Sequence, residues 1–160
     1  MAKEIPLTRG YIAVVDDDDF ESLSKHRWYF QAGYAKRGKK VEGRVNAKVV
    51  PMHREILGML PGDERVVDHI DGDGLNNRRS NLRICTVHEN NRNRRLPRIN
   101  KCGYKGVRKS SNGKWWYAQI GAFGKVIHLG QFNTPEEAHQ AYCRAADELH
   151  GQFANHGSKK

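Results

Sequence analysis

Between Val67 and Asn93 the chain concentrates side chains suited to one kind of chemistry, in the run V-D-H-I-D-G-D-G-L-N-N-R-R-S-N-L-R-I-C-T-V-H-E-N-N-R-N. Hydrolysing a phosphodiester needs an activated water, in-line geometry, and a positive centre that neutralises charge on the phosphate and the departing 3′-oxygen. A divalent ion held by hard oxygen ligands supplies the last two, and a His of near-neutral pKa takes the water's proton. Asp68 and His69 are adjacent. On an extended segment their side chains point to different sides, one to a metal and one to a water. Asp71 and Asp73 suit loop shaping through side-chain to backbone bonds. A calcium loop starting at Asp71 fails, because its fifth and sixth positions are Leu75 and Asn76 where a third oxygen ligand and a Gly are needed. A structural zinc site drawn from His53, Cys85, His88 and Cys102 stays open, since Cys85-x-x-His88 has ligand spacing. Against it, lone cysteines are usually buried hydrophobes.

The order of four short elements carries a family resemblance: Asp68-His69-Ile70-Asp71-Gly72, Asn76-Asn77, Asn81-Leu82-Arg83 and Glu89-Asn90. The segment resembles the HNH homing endonucleases of phages and introns. That resemblance implies a β-hairpin followed by a helix clasping one divalent cation, Mg²⁺ or Mn²⁺. It implies Asp68 and Asn90 as metal ligands, His69 as general base, and Asn81 as the residue that ties the hairpin loop together and keeps the His ring oriented. His53, in Met52-His53-Arg54, matches an H-R pair that precedes D-H in relatives. DNA contact, support of the site and a satisfied core position are open to it, and support is preferred; His88 is incidental. One site per chain implies nicking.

The composition fits an anionic partner. The 160 residues carry a formal net charge of +10 with eight His counted neutral. Arg78, Arg79, Arg83, Arg92, Arg94, Arg95, Arg98, Lys101, Lys105, Arg108 and Lys109 face the single acid Glu89 over that stretch, an electrostatic footprint for double-stranded DNA. Three cysteines without C-x-x-C spacing indicate neither a disulfide framework nor a paired-thiolate site. No apolar run approaches a membrane span, so a cytoplasmic protein without membrane or small organic cofactor is expected, as monomer or homodimer.

The elements that must position these residues make an α+β chain. Residues 1–93 are read as an HNH module, with a β-rich part over 1–50 and the ββα-metal site over 51–93. Strands are expected at Glu4–Leu7, Tyr11–Val15, Arg27–Phe30 and Val45–Met52, and a short helix within Met52–Leu60. The run Asp16 to Asp19 is read as helix capping in preference to a metal site. Asn81–Asn93 is read as a segment entering a helix. Residues 94–101 form a basic linker, 102–156 a second module and 157–160 a tail.

The second module is read as a three-stranded antiparallel sheet, Tyr104–Lys109, Lys114–Ile120 and Lys125–Phe132, backed by one helix. Thr134, Pro135 and Glu137 form its capping box, and Ala138, Ala141, Tyr142, Ala145 and Leu149 form an apolar stripe. Alternation turns Trp116, Ala118 and Ile120 toward the helix. Trp115, Tyr117 and Gln119 face outward with His128, Lys105, Arg108 and Lys109. With Arg92, Arg94 and Arg95 these are the expected DNA contacts. Gly103-Tyr104-Lys105-Gly106-Val107-Arg108, His128-Leu129-Gly130-Gln131-Phe132 and Glu136-Glu137-Ala138 resemble the apetala-two domain of ethylene-response factors, which implies a sheet laid in the major groove. Two rivals remain: a catalytically silent DNA-binding regulator on the same scaffold, and an RNA-directed protein.

Overall fold

A computed structural model describes residues 1–40, 48–94, 96, 100 and 102–157. It is a mixed α/β chain of several small sheets and few helices, in two compact units that divide between Val87 and His88.

The first unit opens on an antiparallel pair, β1 (Ala2–Pro6) and β2 (Ile12–Asp16). Their alternation buries Ile5, Ala13 and Val15 on one face. Helix α1 (Asp17–Ser24) follows at once. The acidic run does begin a helix, yet no carboxylate caps it. Guanidinium and backbone donors of the site loop compete successfully for these oxygens. Asp16 accepts the Arg79 backbone N–H at 2.7 Å and Arg78 Nε at 3.3 Å, and Asp19 takes Arg79 through Nε and Nη2 at 2.8 and 2.7 Å. Arg78 and Arg79 of the expected cationic footprint are thereby paired with acids, their side chains still 46% and 53% exposed.

A second sheet has the order β3 (Tyr29–Gln31), β4 (Tyr34–Lys39), β5 (Lys48–Pro51), all antiparallel. Strand β4 had no counterpart in the sequence reading. Of the expected strand Val45–Met52, residues 45–47 lie outside the described residues, and Met52 already starts helix α2 (Met52–Ile56). Ala32 and Gly33, at φ 52° and 87°, make the two-residue turn that joins β3 to β4. A third antiparallel pair, β6 (Val66–His69) and β7 (Leu82–Cys85), brackets the site loop. Leu82–Cys85 is thus a strand where a helix entry was expected. Its inward residues Leu82 and Cys85 repeat at the wrong interval for a clean period-2 signal. Trp28, Met52, Val15, Leu23, Val67 and Leu82 form the core, and Trp28 Nε1 donates to the Leu23 carbonyl at 2.8 Å.

The second unit begins with helix α3 (Val87–Arg92), whose first residue closes the first unit. Its sheet has the order β10-β9-β8, with β8 Val107–Lys109, β9 Trp116–Ala122 and β10 Lys125–Phe132. The expected first strand is shortened, because Gly103 and Gly106 at φ 78° and 73° turn the chain before Val107. Helix α4 (Pro135–His150) carries the expected capping box at Thr134 and Glu137. Ala138, Tyr142, Ala145 and Ala146 bury its stripe against Val107, Ala118 and Ile120. Among the described residues no helix is long and apolar enough to cross a membrane.

Candidate active site

β6 ends on Asp68 and His69, both buried at 4% and 5% exposure. The loop that follows is held from outside and from within. From outside, β2 clamps it: Val14 N–H donates to the Leu75 carbonyl at 2.9 Å and Asn77 N–H to the Val14 carbonyl at 2.7 Å. From within, Asp71 Oδ1 accepts Asp73 N–H at 2.7 Å, Asp73 Oδ1 accepts Leu75 N–H at 3.1 Å, and Asn76 Nδ2 donates to Asp71 Oδ2 at 2.8 Å. Asp71 and Asp73 thus shape the loop through Asx-type bonds.

Asn81 is buried in the centre of that loop. Its Oδ1 accepts Asp71 N–H, and its Nδ2 donates to Asp71 Oδ1 and to the Asn76 carbonyl, at 3.0, 3.0 and 2.8 Å. It ties the loop together. The residue against the His69 ring is a different one, Asn77, fully buried, with Oδ1 3.4 Å from His69 Nε2. Asn77 Nδ2 donates to the Gly74 and Leu75 carbonyls at 3.4 and 3.2 Å, which fixes Oδ1 as an acceptor. Against that acceptor, a neutral His69 ring would place its proton on Nε2, with Nδ1 as its basic nitrogen. The sequence offered Asn77 only as half of an Asn-Asn pair; its signal is the backbone bond to β2, which turns it inward.

Two further rings surround His69. His53 on α2 lies edge-on at 5.1 Å between centroids, and Tyr34 at the start of β4 lies 5.7 Å from His69 and 5.4 Å from His53. Tyr34 was absent from the sequence reading. It is seated on Gly74, where a Cβ would strike the Gly33 carbonyl oxygen and stand 2.7 Å from Tyr34 Cδ1. Burial lowers the His69 pKa below 6.5, against the opposing pull of the Asn77 contact and of Asp71, Asp68 and Asp73. Burial, with the nearby His69, Arg54 and Lys36, pushes His53 down to about 3. His53 Nδ1 is buried without a hydrogen-bond partner among the described residues. The ring is thus neutral and packed against His69.

Asp68 Oδ2 accepts Arg83 Nε at 2.8 Å and Nη2 at 2.6 Å across the β6–β7 pair. Arg83 therefore serves Asp68 and leaves the expected cationic footprint. A single buried carboxylate of hard oxygens suits an ion that keeps several waters, as Mg²⁺ does. Among the described residues no three His, Cys, Asp or Glu side chains gather to hold a metal, zinc at Cys85, His88 or Cys102 included. Asn90, the expected second ligand, is half-buried on α3 in the second unit.

On the second unit, the register pairs Arg108 with Tyr117 and Gln119 with His128, so these four share the face turned from α4. Arg108 lies over the Tyr117 ring at 5.5 Å, and Trp115 is 38% exposed. Two expected contacts are corrected. Lys105 is not outward: its Nζ donates to the carbonyls of Arg92 and Arg94 at 2.8 and 2.7 Å, and burial lowers its pKa to about 8. Lys109 is opposite Trp116, on the helix side, with Nζ 5.4 Å above that ring, because successive strand residues cannot share a face. Arg94 is exposed, Arg92 half-buried, and Arg95, Arg98 and Lys101 lie outside the described residues. Charge is segregated: residues 102–134 contain no acid, while α4 carries Glu136, Glu137, Asp147 and Glu148.

A buried Asp-His pair thus stands at a strand end, and the loop after it is cross-tied by asparagines. Residues 50–92 match the family model described as HNH endonuclease. The chain is 35% identical over 151 residues to an uncharacterized HNH endonuclease of Acanthamoeba polyphaga mimivirus, covering 91% of this chain and 74% of that protein. It is 38% identical over 88 residues to Protein 3.8 of Escherichia phage T7, covering 55% and 72%. The chain belongs to the HNH endonuclease family.

Proposed function

We propose that the protein is a metal-dependent DNA endonuclease that nicks one strand, with His69 Nδ1 as the general base. The observation that carries this is the Asn77 contact at His69 Nε2, which leaves Nδ1 as the proton acceptor, beside a buried carboxylate at Asp68. A divalent ion, Mg²⁺ or Mn²⁺, would be held by Asp68 and would supply charge neutralisation at the phosphate and the departing oxygen. Asn81 preserves the loop, and His53 and Tyr34 pack the base. Asn90 is proposed as a further ligand on the family resemblance. The outer face of the second sheet, with Arg108, Trp115, Tyr117, Gln119 and His128, holds double-stranded DNA, as the apetala-two likeness suggests. The mimivirus relative supports a role for this unit in the nuclease, since the match spans 91% of the chain. A viral or mobile-element setting in a host cytoplasm fits relatives of viral origin.

Purified protein with Mg²⁺ or Mn²⁺ is expected to nick supercoiled plasmid and to stop on chelation. His69→Ala is expected to abolish nicking with DNA binding kept, and Asn90→Ala to raise the metal concentration required. Undiminished nicking by His69→Ala would overturn the assignment. The double engagement of Asp68 Oδ2 by Arg83 favours one alternative, a silent DNA-binding regulator whose carboxylate is already neutralised. Binding without nicking at any metal concentration would select it.

A further inference from the structure

The tip of the β9–β10 hairpin is built against folding preference. Phe123 and Gly124 form its two-residue turn, at φ 52° and 72°, between the paired residues Ala122 and Lys125. Both turn positions need the left-handed region, which suits Asn-Gly and disfavours an aromatic side chain. The Phe123 ring gains nothing from packing in return: it is 77% exposed and belongs to neither apolar cluster of its unit. Val126 beside it is 60% exposed, so the tip is an apolar point. That point stands in a cationic surface, with Arg108, Lys114 and Lys125 exposed and no acid from 102 to 134. A strained, exposed aromatic signals a role outside folding.

We propose that Phe123 is a wedge that enters the base stack of duplex DNA when the sheet's outer face lies on it. The proposal rests on the reading of that face as the DNA-holding surface. Charge selects the partner: the sheet complements a polyanion, and an apolar side chain inserted at a base step is how proteins unstack and kink a duplex. Wedging would open the helix at the inserted step and would not depend on base sequence.

Phe123→Asn separates this role from folding, because Asn-Gly is the favoured turn and the variant is expected to melt at the same or a higher temperature. The test uses the full chain carrying His69→Ala, which lets a nicked plasmid be closed by DNA ligase in its presence. With Phe123 in place, insertion unwinds the duplex, and the closed circles are expected to emerge with lowered linking number in proportion to bound protein. Phe123→Asn is expected to abolish that shift and to weaken duplex affinity about tenfold, in the range of a lost aromatic-base contact. An unchanged linking number with Phe123 present, or an equal shift and affinity with Asn, overturns the wedge. Arg108→Ala with Tyr117→Ala distinguishes the underlying reading. If that pair leaves affinity unaltered, the sheet does not hold DNA and both statements fall; if it weakens binding while Phe123→Asn does not, only the wedge is lost.

Discussion

Acid should weaken the first unit before it reaches any ordinary carboxylate, and His53 is the reason. The ring is 9% exposed, its Nδ1 is unpartnered among the described residues, and burial beside His69, Arg54 and Lys36 holds its pKa at about 3, where a free imidazole has 6.5. The unfolded chain therefore binds a proton at His53 that the folded chain refuses. Stability from this residue is whole above 6.5 and declines as pH falls toward about 3. Between pH 7 and 5 the loss follows from the 1.5 units separating pH 5 from 6.5, about 2 kcal/mol at 1.36 kcal/mol per unit. That figure is insensitive to the folded pKa as long as it lies well below 5. Trp28 in the core reports on this unit alone once Trp115 and Trp116 are replaced by Phe. Urea titrations at pH 7, 6 and 5 should show the decline, and His53→Leu should remove about 2 kcal/mol of it. A smaller slope remains, because His69 is also depressed. Equal acid slopes in parent and variant would refute a neutral, buried His53.

Four other outcomes follow from particular contacts. Gly74→Ala drives a methyl into the Gly33 carbonyl and the Tyr34 ring, so it should destabilise the first unit by about 1–3 kcal/mol in the Trp28 titration and reduce nicking with it. Lys105→Met leaves the Arg92 and Arg94 carbonyls without their donor and should lower the stability of the second unit by about 1–3 kcal/mol, while the salt dependence of DNA binding stays as it was. Arg108→Ala should do the reverse, keeping the melting temperature and reducing the slope of log affinity against log salt by about 1. Asp19→Asn frees Arg79 and should slow nicking with little effect on DNA affinity, measured by gel shift beside plasmid relaxation.

Residues whose role is set by local sequence were legible before the structure. Asp71 and Asp73 bond their own neighbours two positions on, and Thr134 with Glu137 caps α4 within one turn; such contacts are written in adjacent letters. Trp116, Ala118 and Ile120 were placed correctly because strand alternation is a local rule. Residues positioned by distant partners were not legible. Asn77 and Asn76 are alike in sequence, and only the bridge to Val14 decides which faces His69. Tyr34 reaches the site through a turn in which Ala32 adopts positive φ, a conformation its residue type does not announce. Lys105 reads as one more surface cation until the end of α3 and the residues just after it supply the carbonyls that take its ammonium.

The two units use their cations differently. Eleven cations between Arg78 and Lys109 looked like one DNA-binding stripe. In the first unit, Arg78 and Arg79 meet Asp16 and Asp19 from the strand and helix behind the loop, and Arg83 meets Asp68. These arginines fix a loop that must hold an Asp-His pair buried, where an unopposed carboxylate is costly. In the second unit, Arg108 is exposed over an aromatic ring on a sheet without acids. Phosphate affinity and its salt dependence should therefore arise chiefly from the second unit, and the first should contribute geometry more than attraction. A nuclease built this way can lose affinity and keep its chemistry, or lose its chemistry and keep affinity, by changes confined to one unit.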